Sequence, residues 1–134
     1  MESGLDHQYR EVRQLLLQIE ELSELIVQWN ADIYSVNDYV TTPEGLKTLA
    51  ATCMHLESIG EAIKKIDKII PHFLEENSKQ IPWKSIKGMR DHIAHGYFEI
   101  DADIVYDVVS SEIENLLVSI RKLIILINDL LHKK

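Results

Sequence analysis

Ile81-Pro-Trp-Lys-Ser-Ile-Lys-Gly-Met-Arg-Asp-His-Ile-Ala-His-Gly-Tyr97 is bounded by a helix-start and a helix-stop signal. Pro82 has no backbone N–H to leave unpaired, and its fixed φ suits a first helical turn. Gly96 readily enters the left-handed conformation found just past a helix C-terminus. The stretch therefore predicts a short amphipathic helix over residues 82–95, with Arg90, Asp91, His92 and His95 near its end. Tyr97 follows the glycine and is expected beyond the helix.

Working outward toward the N-terminus, Val12, Leu15, Ile19, Leu22, Ile26, Trp29 and Ile33 step by three or four residues. That spacing is one apolar stripe of a long first helix, over about residues 6–30. Residues 37–42 read as a connection with room for a short helical turn. Thr41 with Glu44 resembles a capping box, and Pro43 suits the opening of a second helix over residues 43–70. Its stripe is Leu46, Leu49, Cys53, Leu56, Ile59 or Gly60, Ile63 and Ile66. A glycine inside a helix costs about 1 kcal/mol relative to alanine, so Gly60 suggests close approach of another helix. Pro71 interrupts the pattern, and residues 72–76 fit a further turn.

Toward the C-terminus, Glu99-Ile-Asp-Ala-Asp103 supplies carboxylates suited to a helix N-terminus. Val105, Val109, Ile113, Leu116, Ile120, Leu123, Ile127 and Leu130 then mark one last helix, closing on His132, Lys133 and Lys134. The expected fold is all-α: an antiparallel bundle of four main helices with short extra turns, one domain over residues 1–134.

Composition agrees. The chain has 134 residues, 46% hydrophobic and 27% charged, a balance suited to one globular domain with its own core. The single cysteine, Cys53, can form no internal disulfide and fits a reducing compartment. The N-terminus lacks the basic region and apolar run of a signal peptide, and residues 123–131 are too short to span a membrane. A cytoplasmic protein with no membrane partner is expected. The net charge of −8 argues against a broad nucleic-acid-coating surface. Residues 61–95 nevertheless hold seven Lys or Arg against five Asp or Glu, a net +2, so the rest carries −10. A small RNA-facing site suits that distribution better than extensive phosphate tracking, although a solvated face of mixed charge has the same composition.

Arg90 and His95 differ by about 140° on an ideal helix and so can flank a groove but not share a face. Asp91 and His95 do share one, and a carboxylate beside an imidazole fixes its tautomer and raises its basicity. Arginine presents a planar fork to phosphate oxygens. These parts fit acid–base cleavage of a phosphodiester in which His95 moves a proton and Arg90 stabilises the gathering charge, the spacing itself naming no substrate. His92, His95 and Asp91 could instead suggest a metal site, although no second ligand cluster accompanies them. His55 and His72 read as structural or solvated. Glu61 either faces the motif helix and pairs with Arg90 or is a solvated helix charge.

Arg90, four residues, then His95, one residue and Tyr97 resembles the R-x4-H-x-Y motif of the HEPN superfamily, in its HepT-like branch. Ile59-Gly60-Glu61-Ala62, Ile81-Pro82-Trp83, Gly88-Met89-Arg90 and Tyr97-Phe98-Glu99-Ile100-Asp101 resemble further blocks of that branch, over about residues 56–108. The resemblance implies an all-helical toxin ribonuclease, active on RNA (tRNA being one candidate) and not on DNA, needing neither metal nor cofactor. It implies a homodimer that places two Arg/His sets in one cleft, with Arg90 and His95 catalytic and Asp91 and Glu61 supporting. It also implies a cognate nucleotidyltransferase antitoxin of the minimal, MntA-like kind, which adds AMP to Tyr97 and silences the site. Asp91 departs from the asparagine frequent after the arginine, which bears on rate and substrate preference. The alternative is a non-catalytic helical binding partner of a nucleotidyltransferase; an intact Arg90/His95 pair favours the enzyme.

Overall fold

The computed structural model describes residues 3–83, 86 and 101–132. Among the described residues there are six helices and no strand: α1 (Gly4–Trp29), α2 (Val36–Val40), α3 (Pro43–Ile69), α4 (Phe73–Asn77), α5 (Ala102–Ser111) and α6 (Ile113–His132). The expected all-α bundle is what the chain forms. No helix among the described residues is long and apolar enough to cross a membrane.

α1 starts where the Ser3 side chain accepts a hydrogen bond from the Asp6 N–H at 3.1 Å, pairing one otherwise orphaned donor. It packs against both α3 and α6, so its buried face is broader than a single stripe. Leu16 and Ser23 are buried beside Val12, Ile19 and Ile26, whereas Leu15 and Leu22 are only half-buried. Trp29, expected on the stripe, stays 40% exposed at the end of the helix and packs at a tilt against His55 with ring centroids 4.5 Å apart.

Cross-links between helices give their direction. Gln8 Nε2 donates to Ile69 O at 3.4 Å, while Asn30 at the other end of α1 donates to Thr52 near the start of α3. Arg13 reaches Asn128, and Arg121 reaches Glu20 and Glu24. Both pairings run antiparallel. The core between these helices includes Ile59, Ile63 and Ile66 of α3 and Leu116, Ile120, Leu123 and Ile127 of α6.

Several local expectations need correction. The cap of α3 is Thr42, whose hydroxyl accepts from Gly45 N–H at 2.9 Å; the Thr41 hydroxyl instead donates back to Asn37 O. Leu46 lies outside the core at 51% exposure, because α2 folds over the first turn of α3 on the Gly45 side. There an added Cβ on Gly45 would overlap the Asp38 carbonyl oxygen and stand 2.9 Å from Tyr39 O. Gly60 is buried in α3.

The last helix is two. α5 stops at Ser111, and Glu112 takes φ −121°, ψ −31° before α6 begins. The Ser110 hydroxyl donates back to Tyr106 O at 2.7 Å, a competition with the backbone ladder that bends helices. The ladder still crosses the bend, with Glu112 N–H donating to Val108 O and Leu116 N–H to Glu112 O. The Asp101 side chain caps α5 by accepting from Ile104 N–H at 3.2 Å, as the acidic link suggested.

The helix expected over residues 82–95 lies outside the described residues except at its start. There Ile86 N–H donates to Pro82 O at 3.1 Å, the bond of a first helical turn. Ile81, Trp83 and Ile86 are all buried, and the Trp83 indole N–H donates to Ser78 O at 2.7 Å.

Candidate functional site

Of the residues expected to carry chemistry, Arg90, Asp91, His92, His95 and Tyr97 lie outside the described residues, and so does the turn expected at Gly96. Two described anchors bracket that stretch in sequence. On the N-terminal side Trp83 and Ile86 are set into the core, with the indole N–H bonded to Ser78 O. On the C-terminal side Asp101 is fixed as the cap of α5.

Glu61 stands on α3, half-exposed, with Lys64 Nζ 3.8 Å from its Oε1. Pairs of this kind on one helix face contribute only about 0.3–0.5 kcal/mol. Glu61 is thus a solvent-reaching carboxylate already facing a cation of its own helix; the pair expected with Arg90 involves a residue outside the described ones.

Three grooves open nearby. One, of 360 Å³, is lined by Gln18, Glu57, Ser58, Glu61, Ala62 and Lys65. A second, of 400 Å³, shares Glu61 and Lys65 with it and adds Lys64, Asp67 and Lys68. The third, of 450 Å³, lies where His72, Glu75, Glu76 and Lys79 meet Ile81 and Trp83. His72 takes φ 68°, a left-handed conformation unusual outside glycine, and its ring Nδ1 lies 3.5 Å from Glu75 Oε2. Sequence reasoning counted these lysines in a basic middle segment without seeing that Lys64, Lys65 and Lys68 meet in one groove. Their i, i+1, i+4 spacing was the available signal.

Other titratable groups belong to the scaffold. Burial, with Glu57 nearby, pushes the Cys53 thiol up to about 12, so it is a neutral filler and not a nucleophile at neutral pH. Burial likewise lowers His55 below its ordinary range, favouring a neutral ring against Trp29. Among the described residues no three His, Cys, Asp or Glu gather as a metal-binding group.

The chain matches the family model described as "Ribonuclease HepT-like" over residues 5–123, and it belongs to that family. It is 38% identical over 82 residues to a protein named "Putative RNase" from Caldanaerobacter subterraneus subsp. tengcongensis, covering 61% of this chain and 67% of that one. It is 32% identical over 107 residues to "Probable ribonuclease HepT" of Thermococcus cleftensis, covering 80% and 90% of the two chains. A "Putative RNase" of Methanocaldococcus jannaschii is 30% identical over 115 residues, 86% of this chain and 88% of that one. No solved structure gives a significant match.

Proposed function

We propose that the protein is a metal-independent endoribonuclease toxin, paired with a nucleotidyltransferase antitoxin, in which Arg90 and His95 carry the reaction. The observation that supports this most is the family match over residues 5–123, a span that includes Arg90, His95 and Tyr97. His95 accepts the proton of a ribose 2′-hydroxyl as its oxygen bonds to phosphorus. The bond from phosphorus to the 5′-oxygen breaks, and that oxygen takes a proton from His95 of the partner subunit. A 2′,3′-cyclic phosphate and a 5′-hydroxyl remain. Arg90 stabilises the charge gathering on the non-bridging oxygens, a role suited to its fork of donors. The two proton transfers explain why a homodimer serves the reaction, since one copy of the motif offers one His95.

Glu61 and Asp91 support this machinery, Glu61 as the expected partner of Arg90 and Asp91 as a carboxylate four residues from His95. Transfer of AMP to the Tyr97 phenol by the antitoxin adds a phosphodiester anion and a nucleoside beside the site, excluding RNA by repulsion and bulk.

The test is cleavage of RNA by purified protein in the presence of chelator. His95→Ala and Arg90→Ala should each lower the rate by about 10²–10⁴-fold with helical content unchanged, the range for loss of a proton carrier or charge stabiliser. Wild-type rates in a folded His95→Ala protein would overturn the assignment, as would a requirement for added metal. Light scattering should give about twice the 15.5 kDa chain mass. Tyr97→Phe should cleave RNA normally yet gain no AMP on intact-mass spectrometry when antitoxin and ATP are supplied; modification at the wild-type level would move the acceptor elsewhere.

A further inference from the structure

Lys64, Lys65 and Lys68 line one groove of 400 Å³ on the outer side of α3. Lys64 stands 3.8 Å from Glu61, while Lys65 and Lys68 form no salt bridge among the described residues. Glu61 and Asp67 also line the groove, so among the described residues three cations and two carboxylates meet there. The contrast with the rest of the molecule is what gives that small excess its force. The chain carries −8 overall, and two of the other described cations are already engaged, Arg121 by Glu20 and Glu24 and Arg13 by Asn128. A polyanion approaching this protein is repelled over most of its surface and met by flexible ammonium groups along α3.

We propose that this groove is a phosphate-tracking subsite for single-stranded RNA, orienting the substrate without reading its bases. The inference rests on the ribonuclease reading and adds to it the residues that hold the strand away from the scissile bond. Lys64 and Lys68 are one helical turn apart, about 6 Å along the axis, a step that suits successive phosphates of an extended strand. Lys65 extends the row into the adjoining groove, which it and Glu61 share. Lysine supplies a point charge on a flexible stem, suited to positioning a backbone and unable to specify a sequence. A duplex would present phosphates on a broader front than this narrow row of lysines.

The experiment measures binding of labelled single-stranded RNA by anisotropy in the His95→Ala background, which separates binding from cleavage. Lys64→Gln/Lys65→Gln/Lys68→Gln should weaken binding at least about tenfold at moderate salt, equally for different homopolymers. It should also lower the slope of log affinity against log salt by about 2, at about 0.7 for each phosphate that is no longer neutralised. With His95 restored, the triple variant should raise KM and leave kcat on saturating RNA within about twofold. Arg121→Gln, on α6, is the control and should change neither quantity. If wild type cleaves RNA and the triple variant binds and cleaves equally well, the subsite is wrong and the ribonuclease reading stands. If RNA binding follows the lysines while no RNA is ever cleaved, the ribonuclease reading fails and the subsite stands. Failure of wild type to bind RNA, with the lysines governing capture of an acidic protein instead, would overturn the subsite in favour of a protein interface.

Discussion

Replacing Tyr39 by phenylalanine removes one hydroxyl from a closed polar network inside an apolar core. Tyr39 is fully buried, and its hydroxyl donates to Asn30 Oδ1 at 2.5 Å. The same amide donates from Nδ2 to Ile26 O at 2.8 Å and to Thr52 Oγ1 at 3.0 Å. One asparagine thus joins the end of α1, α2 and the first half of α3. Burial pushes the Tyr39 phenol up to about 12, with lesser contributions from Cys53 and Tyr106, so it remains a neutral donor near pH 7. Without it, Asn30 Oδ1 is left in a site that is 6% exposed. Stranding a buried acceptor costs about 1–3 kcal/mol. At about 3–5 °C per kcal/mol for a chain of this size, a loss near 2 kcal/mol lowers Tm by about 6–10 °C. Tyr106→Phe is the comparison, because its hydroxyl donates at 2.7 Å to Tyr34 O in an exposed position where water can replace it. That variant should lose less than about 1 kcal/mol. Differential scanning calorimetry on both decides the matter: a Tyr39→Phe protein melting within about 2 °C of wild type would refute the argument, as would equal losses in the two variants.

Gly45→Ala should destabilise although it adds a helix-favouring residue worth about 1 kcal/mol, because the new methyl would overlap the Asp38 carbonyl oxygen. A net loss of about 1–3 kcal/mol in urea titrations is expected, with helical content retained. Glu112→Gln should stabilise. Burial, then the charge of Asp107, raises the Glu112 carboxyl above its usual range, so the folded state binds its proton more readily than the unfolded one. Stability from this group therefore falls as pH rises through the carboxylate range and returns on acidification. The Tm advantage of the glutamine variant should be largest near pH 7 and shrink as pH drops through that range.

Periodicity was enough to read the bundle. The three-four steps from Val12 to Ile26, from Leu49 to Ile66 and from Ile113 to Ile127 are local patterns, and each corresponds to a face that is buried. Asp101 and Pro43 were legible for the same reason, since a cap or a first-turn proline acts on its own few residues. Misreadings arose where a distant element decided. Trp29 and Leu46 keep step with their stripes yet remain at the surface, because the stripe is a property of one helix and the cover belongs to its neighbours. The bend at Glu112 is invisible to a pattern that runs through it unbroken, and shows only in the structure, in the Glu112 backbone angles beside the Ser110 back-bond.

The candidate site divides in the same way. Arg90, His95 and Tyr97 were singled out by spacing and family resemblance, which are properties of the string of residues alone. That Lys64, Lys65 and Lys68 share a groove beside Glu61 follows from the shape of α3 and its surroundings. That Asn30 is the polar junction of three helices follows from a fold bringing residues 9 and 22 positions away onto one amide. Sequence determines which faces are apolar and which residues can do chemistry, because those are short-range properties of side chains and backbone. Only the packed structure decides which surfaces are covered and which charges converge, because burial and proximity depend on residues far apart along the chain.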